Sequence, residues 1–436
     1  MRRNRVFGDL LSQLFERTGQ FRGQDDRRSL PELCEALLSA EGEVSGYSLA
    51  ATLLARYAQA NDADRLAFFQ SLNADFDIDA EQVAALARAY ADTPSTETFR
   101  ALSQAAEPRR QELLRRLNQP VGATHALVGM RTDLLRLLPV HPDLKRTDID
   151  FMHLLRSWFN RGFLVLREID WDTPARILDK IVDYEAVHQI DDLDDLRRRL
   201  NPADRRCFAF FHPSMPDEPL IFVEVALTSE IPGSIAALLE EERDPLDPAD
   251  ARAAVFYSIS NCQKGLAGIS FGNLLIKQVV TELSATLPSL QTFVTLSPIP
   301  GLNAWLSTKT DDAEIGAAVR SVLSAENPRD IPAEPLKALA ARYLLTAKTD
   351  AGAPLDPVAR FHLGNGAEIH DLHAAGDPSP NGLALSSGAM VNYLYDLRRT
   401  ERNHEDFATN GTIAASRTVQ TLSSTAPGPK SKESVA

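Results

Sequence analysis

The sequence has few cysteines, a shortage of basic charge and no long apolar run. Its 436 residues include three cysteines, Cys34, Cys207 and Cys262, widely spaced and without a CxxC pair. That excludes a disulfide framework and a cysteine-rich zinc site, and it fits a reducing, intracellular setting. Lys and Arg number 46 against 60 Asp and Glu, which gives a net charge of −14. A field of that sign argues against a general nucleic-acid binder, so any anionic ligand must be held by a local site. No apolar run approaches the roughly 18 residues of a transmembrane helix, and no membrane partner is expected. The N-terminus, MRRNRVFGDLL, lacks the apolar core of a secretory signal. Its arginines suit a mitochondrial transit peptide, but acidic residues begin at Asp9, and the C-terminal ESVA is not a peroxisomal tripeptide. The expected location is therefore cytoplasmic. Neither HExxH nor GxxxxGK[ST] occurs, which leaves zincin and P-loop chemistry without support.

What is present suffices for ordinary cores: 44% of residues are hydrophobic and 24% charged. The length suggests two or three domains. Apolar residues recur at helical spacing through the first ~155 positions. Leu33, Leu37 and Leu38 form one such stripe, and Leu49, Leu53, Leu54 and Tyr57 a second. Val83, Leu86 and Tyr90 form a third, and a fourth runs from Leu127 through Met130 and Leu134 to Leu138, where Pro139 stops it. Period-two alternation is almost absent, so residues 1–157 read as a helical bundle with a scaffold or oligomerisation role. Beyond residue 158 the pattern changes. Cys207–Phe211, Leu220–Leu227, Ala253–Ile259 and Gln291–Leu296 are rich in β-branched and aromatic residues, with helical patterns at Asn273–Leu287 and Glu334–Thr346. The fold class expected is therefore α plus α/β, with a mixed domain over 158–414. The segment 415–436 is rich in Ser, Thr, Pro and Lys and reads as a mobile tail. The fragment His370-Asp371-Leu372-His373 reads as a polar loop, since no third metal ligand follows from its spacing.

Residues 253–301 hold the most information. A strand running to Ile259 leads into a loop with Gly265, Gly268 and Gly272. A helix follows from about Asn273, with Leu274, Leu275, Val279 and Leu283 facing inward, and then a strand that ends at Ser297. Glycines ahead of a helix let backbone N–H groups approach a phosphate, and the helix N-terminus adds partial positive charge. Lys264 and Lys277 add local charge. The spacing alone also allows a glycine-containing connection with no ligand. Ser297 precedes Pro298-Ile299-Pro300-Gly301, which places a hydroxyl at the lip of a sheet. His362 lies in RFHLGNGA, an element running into an Asn-Gly turn. By pattern alone, Ser297 and His362 are a turn serine and a structural histidine as readily as functional groups. His212, after a strand and before Pro213 and Pro216, is a weaker candidate of the same kind.

Several runs in order give the chain a resemblance to the malonyl-CoA decarboxylase family. They are FYSIS at Phe256–Ser260, GLAGISFGNLLIK at Gly265–Lys277, TLSPIPG at Thr295–Gly301, DPVARFHLGNGA at Asp356–Ala367 and GAMVNYLY at Gly388–Tyr395. The resemblance spans the chain and is strongest over 205–305 and 340–397. It implies a GNAT-type acyltransferase fold for the second domain, in which two neighbouring strands splay and coenzyme A enters the gap. It also implies that the CoA loop comprises Ala267, Gly268, Ile269, Ser270, Phe271, Gly272 and Asn273, with Ser270 where family members can carry Glu. Ser297 and His362 match the family's catalytic pair, and Asn392 and Tyr395 match polar residues near its active site, which implies that they bind substrate as polar groups of the pocket; as a pattern alone, both serve equally as buried core groups.

The reaction so implied is loss of CO2 from malonyl-CoA to leave a thioester enolate, then protonation at carbon to give acetyl-CoA. It needs an oriented carboxylate, preorganised donors for the enolate oxygen and a proton donor. It needs no metal or redox cofactor, because the thioester accepts the electrons, and coenzyme A is part of the substrate. A homo-oligomer is expected from the broad apolar faces of the helical half. The competing functions are a GNAT-fold acyltransferase, which would need an amine acceptor, and an acyl-CoA-binding scaffold without turnover.

Overall fold

The computed structural model describes residues 26–40, 42–269, 274–325 and 327–424. The chain forms two compact units. The first comprises the chain up to Val165 together with His212–Glu218 and Gln263–Phe271; the second comprises Leu166–Phe211, Pro219–Cys262 and the chain from Gly272 onward.

The first unit is built from helices, among them Leu30–Ser39, Glu43–Gln59, Asp62–Ala74, Ala80–Asp92, Thr96–Ala105, Arg109–Leu117, Ala123–Leu137 and Lys145–Trp158. Their starts are written in the sequence. Ser29 and Glu32 form a reciprocal capping box with Pro31 in the first turn, and Asn61, Asp79 and Ser95 cap the helices they precede. Leu33, Leu37, Leu53, Phe68, Phe69, Leu127 and Leu134 are buried in its core. Each such side chain contributes roughly 1.5–3 kcal/mol of transfer free energy. Arg131 reaches from Ala123–Leu137 to the turn at 264–267. Its guanidinium donates to the carbonyls of Gly265 at 2.7 Å and Ala267 at 2.8 Å, while its Nε donates to Asp148 at 2.8 Å. Gly265 is required there, because a methyl group would run into the Val128 carbonyl oxygen.

The second unit carries an eight-stranded mixed sheet. Its strands are β1 (Val165–Ile169), β2 (Arg205–His212), β3 (Met215–Thr228), β4 (Ala253–Asn261), β5 (Thr292–Thr295), β6 (Ser297–Pro298), β7 (Glu368–His373) and β8 (Met390–Leu394). The order is β1-β2-β3-β4-β5-β8-β6, and β7 pairs with β8. Ile177, Leu178, Ile181 and Leu196 pack with Cys207, Phe211 and Phe222 on one face. Ile235 and Leu238 pack with Val255, Tyr257, Val294 and Met390 on the other. Burial on both faces explains why β3 and β4 read as nearly continuous apolar runs rather than alternating ones.

The pair β4–β5 positions the site. The two strands run parallel, joined by the crossover helix Leu274–Thr286, and are in register from Ala253/Thr292 to Phe256/Thr295. After a last bond from Leu296 N–H to the Phe256 carbonyl they part. β4 continues to Asn261, while the other strand follows β8, with which it is already paired at Val294/Leu394, on to Ser297/Val391.

Two compositional readings are corrected. Residues 368–373 form strand β7 rather than a polar loop: Ile369 and Leu372 are buried, and the backbone pairs with 390–394. The ordered chain also runs past 415. Ser416 N–H donates to the Ile369 carbonyl, its hydroxyl donates to the His370 carbonyl, and Arg417–Ser424 is a helix with Val419 buried. Residues 425–436 lie outside the described residues. Among the described residues, no helix is long and apolar enough to cross a membrane.

Candidate active site

Where β4 and β5 part there is a cavity of ≈ 260 Å³. Phe256, Tyr257, Ile259 and Asn261 line it from β4, Ser297 and Pro298 from the opposite side, and Pro357, Val358, Phe361 and His362 from the helix Pro357–Gly364; Val187 completes it. The lining is mostly apolar, with a few convergent polar groups, the usual character of a small-molecule site.

Two elements bring the polar pair together. Ser297 stands at the start of β6, held in the sheet by Val391. His362 stands in the last turn of Pro357–Gly364. Asp356 caps that helix, accepting from Val358 N–H and Ala359 N–H at 2.9 Å each, and Pro357 supplies a preset first turn. The same carboxylate accepts from Gly301 N–H and from the Tyr343 hydroxyl at 3.4 Å each. Asp356 thus ties the turn after Ser297 to the helix that carries His362. Burial pushes its carboxyl pKa up, and the four donors oppose that shift.

Ser297 Oγ and His362 Nε2 are 3.3 Å apart, and both residues are buried. Ser297 donates to Thr295 Oγ1 at 2.8 Å. His362 Nδ1 lies 2.8 Å from the Tyr395 hydroxyl. The imidazole is stacked on Tyr393, with centroids 4.5 Å apart and planes at 22°. Burial pushes the His362 pKa down to about 3, so the ring is neutral at neutral pH. Burial also raises the Tyr395 phenol above its ordinary value.

The structure thus brings Ser297, His362 and Tyr395 into one hydrogen-bonded chain. Asn392 stands behind it. Its amide donates to the Thr295 carbonyl at 2.9 Å and to the Pro232 carbonyl at 3.2 Å, its oxygen lies 2.6 Å from His373 Nε2, and it does not line the cavity. Ala267, Gly268 and Ile269 belong to the first unit and are not among the cavity-lining residues. Gly268 has φ +75°, a conformation that glycine adopts without strain. Ser270, Phe271, Gly272 and Asn273 lie outside the described residues. His212 has both ring nitrogens engaged locally: Nδ1 accepts from Ser214 N–H, and Nε2 lies 3.1 Å from the Trp158 carbonyl. Among the described residues, no group of three His, Cys, Asp or Glu side chains could hold a metal ion. Thr295 and Asp356 were not singled out from the sequence. Asp before Pro at a helix start was a legible capping signal for Asp356, whereas Thr295 Oγ1 takes one of its two partners, the Tyr393 N–H, from β8, which left no local mark.

A helical N-terminal part, followed by a mixed α/β unit with a buried hydroxyl–imidazole pair beside diverging strands, defines a two-unit α plus α/β protein with a candidate catalytic cavity in its second unit. The comparisons narrow it. The malonyl-CoA decarboxylase C-terminal domain matches residues 162–433, and the malonyl-CoA decarboxylase N-terminal domain matches 76–159. The crystal structure of malonyl-CoA decarboxylase from Rhodopseudomonas palustris is 52% identical with a TM-score of 0.85, covering 90% of this chain and 98% of that one. Mitochondrial malonyl-CoA decarboxylase of Anser anser anser is 38% identical over 352 residues, 72% of this chain and 69% of that protein. The Mus musculus protein of the same name is 35% identical over 358 residues, 74% of this chain and 72% of that protein. The chain belongs to the malonyl-CoA decarboxylase family. The expected cytoplasmic location is overturned by these relatives, which are named mitochondrial.

Proposed function

We propose that the protein converts malonyl-CoA to acetyl-CoA and CO2, a carbon–carbon lyase reaction. The observation that carries this reading is the Ser297–His362 contact at the cavity, in a chain of this family. Ser297 orients the malonyl carboxylate, its hydroxyl hydrogen turning from Thr295 Oγ1 to the substrate on binding, so that the breaking C–C bond stands perpendicular to the thioester plane. The bonding pair passes into the thioester as CO2 leaves. His362 meets the developing enolate as a hydrogen-bond donor, a contribution worth about 3–4 kcal/mol per preorganised donor. One proton, drawn finally from water and delivered through the Ser/His pair, ends on the α-carbon. The balance is malonyl-CoA carboxylate plus H⁺ to acetyl-CoA plus CO2, with no acceptor and no redox partner.

The second unit reads as a GNAT-type acyltransferase fold, a reading supported by the parting of β4 from β5 and by the crossover helix between them. In this reading the acyl end of the substrate enters the cavity, and the loop Ala267–Asn273 takes the CoA phosphates through backbone N–H groups, which do not require the Glu that Ser270 replaces. Residues 158–414 carry the catalysis, and residues 1–157 serve as scaffold in a homo-oligomer. Ala80–Asp92 and Thr96–Ala105 support this last assignment: both are amphipathic, neither has a buried residue, and Phe99 is 58% exposed.

Product mass measurement tests the function. Malonyl-CoA alone should give acetyl-CoA and CO2 in equal amounts. Ser297→Ala and His362→Asn should keep CoA affinity while turnover falls by about 10²-fold or more. Acyl transfer to an added amine, or parallel loss of affinity and turnover in both variants, would count against the proposal.

A further inference from the structure

We infer that Thr295 is a positioning residue that holds His362 as the Nε2–H tautomer, so that an N–H rather than a lone pair faces the cavity. Its catalytic meaning rests on the decarboxylase reading; its geometry does not. Thr295 is fully buried at the end of β5. Its Oγ1 accepts from the Tyr393 backbone N–H at 3.2 Å and from the Ser297 hydroxyl at 2.8 Å. A backbone N–H can only donate, so β8 fixes one side of that oxygen as an acceptor. A serine hydroxyl has one hydrogen, and Ser297 has given it to Thr295. Toward His362 Nε2, at 3.3 Å, Ser297 Oγ is therefore an acceptor, and the ring hydrogen sits on Nε2.

The other end of the ring agrees. A neutral imidazole with hydrogen on Nε2 has a bare Nδ1, and the Tyr395 hydroxyl 2.8 Å away supplies the matching donor. Burial favours both the neutral ring and the un-ionised phenol. The chain runs one way: Tyr395 to His362, His362 to Ser297, Ser297 to Thr295. Tyr393 serves it twice, once by stacking on the imidazole and once through its N–H to Thr295. Asn392 holds the Thr295 carbonyl from behind. The opposite tautomer would aim a lone pair at an enolate oxygen, which repels it. The direction of the chain therefore decides whether His362 can stabilise the enolate.

The test is the ¹⁵N spectrum of ring-labelled histidine in the full chain at neutral pH, with His362 identified by its absence in His362→Asn. The wild-type ring should show Nε2 protonated and Nδ1 bare. Thr295→Val, which keeps the shape and removes the acceptor, should release the Ser297 hydrogen to His362 and move the ring proton to Nδ1. Its kcat should fall at least about tenfold with KM for malonyl-CoA within about twofold, since a lost oxyanion-type donor acts on the transition state. Thr295→Ser should restore both the spectrum and kcat. A wild-type His362 ring protonated on Nδ1 overturns the inference even if neither Thr295 variant folds, and so does a folded Thr295→Val with an unmoved spectrum and kcat. A protein with the Nε2–H ring that leaves malonyl-CoA intact refutes the decarboxylase reading instead and leaves the tautomer assignment standing.

Discussion

At the residue scale, the site is governed by burial. A histidine in water is half protonated near pH 6.5, but His362 stays neutral to about pH 3 because its cavity wall cannot solvate an imidazolium. Its value to the reaction is therefore directional: where the single N–H points matters more than how acidic it is. Tyr395 matches a residue near the family's active site and was read as a substrate-binding group, yet its hydroxyl is spent on His362 Nδ1. The two roles separate experimentally. Tyr395→Phe removes a hydrogen bond worth about 1 kcal/mol, which predicts a five- to tenfold drop in kcat with KM for malonyl-CoA unchanged. Steady-state kinetics over a malonyl-CoA series decides it, because a substrate-binding Tyr395 would raise KM instead.

At the element scale, the pair depends on two chain segments being held at a fixed separation. Asp356 caps the helix of His362 and accepts from Gly301 N–H, while Tyr343 closes over both. Gly301 has no room for a side chain, because a methyl group would overlap the Tyr343 hydroxyl, with the ring carbon bearing it 3.2 Å away. Gly301→Ala should therefore cost about 1–3 kcal/mol by overpacking and shift the turn that follows Ser297. Turnover should fall more than stability alone explains. Adding Tyr343→Phe removes the closest clash and should recover part of both losses. Chemical denaturation and kcat measured on the single and double variants check this coupling, and strict additivity would contradict it.

Much at this scale was legible in the sequence. Ser297 before Pro298 and His362 before an Asn-Gly turn were found because short ordered runs carry them, and β3 and β4 because both their faces are buried. What local pattern could not supply was pairing. Thr295 lies in a run already singled out, but its meaning depends on Tyr393 arriving opposite it through the Val294–Leu394 register, about 100 residues away in the sequence. β7 read as a loop because His370, Asp371 and His373 mask Ile369 and Leu372, and only the backbone of β8 makes it a strand. Ser416 and Val419 likewise gain their order from partners at 369 and beyond, which a Ser/Thr-rich composition conceals.

At the scale of the whole molecule, buried neutral histidines make the fold sensitive to acid. His188 is pushed down to about 4, burial being the main cause, and His362 to about 3. The unfolded chain protonates both near pH 6.5. Between 6.5 and those lower values the unfolded state binds protons that the folded state refuses at these two rings, so their contribution to stability falls as pH falls through that window and is fully present above it, while Glu224, raised to about 8 by burial, contributes with the opposite sign. At about 1.4 kcal/mol per unit for each group, moving from pH 7 to pH 5 should remove about 2 kcal/mol per histidine, before ordinary carboxylates begin to titrate. His362→Asn deletes the His362 contribution and leaves those of His188 and His212 in place. Its stability should therefore fall by about 2 kcal/mol less than the wild type's over the same interval, read from urea unfolding at both pH values, whatever the variant loses at pH 7 and whatever other groups such as Glu224 contribute equally to both proteins. Equal drops in the two proteins would mean that the His362 ring takes up its proton in the folded state near pH 6, and that burial does not hold it neutral through the acid range.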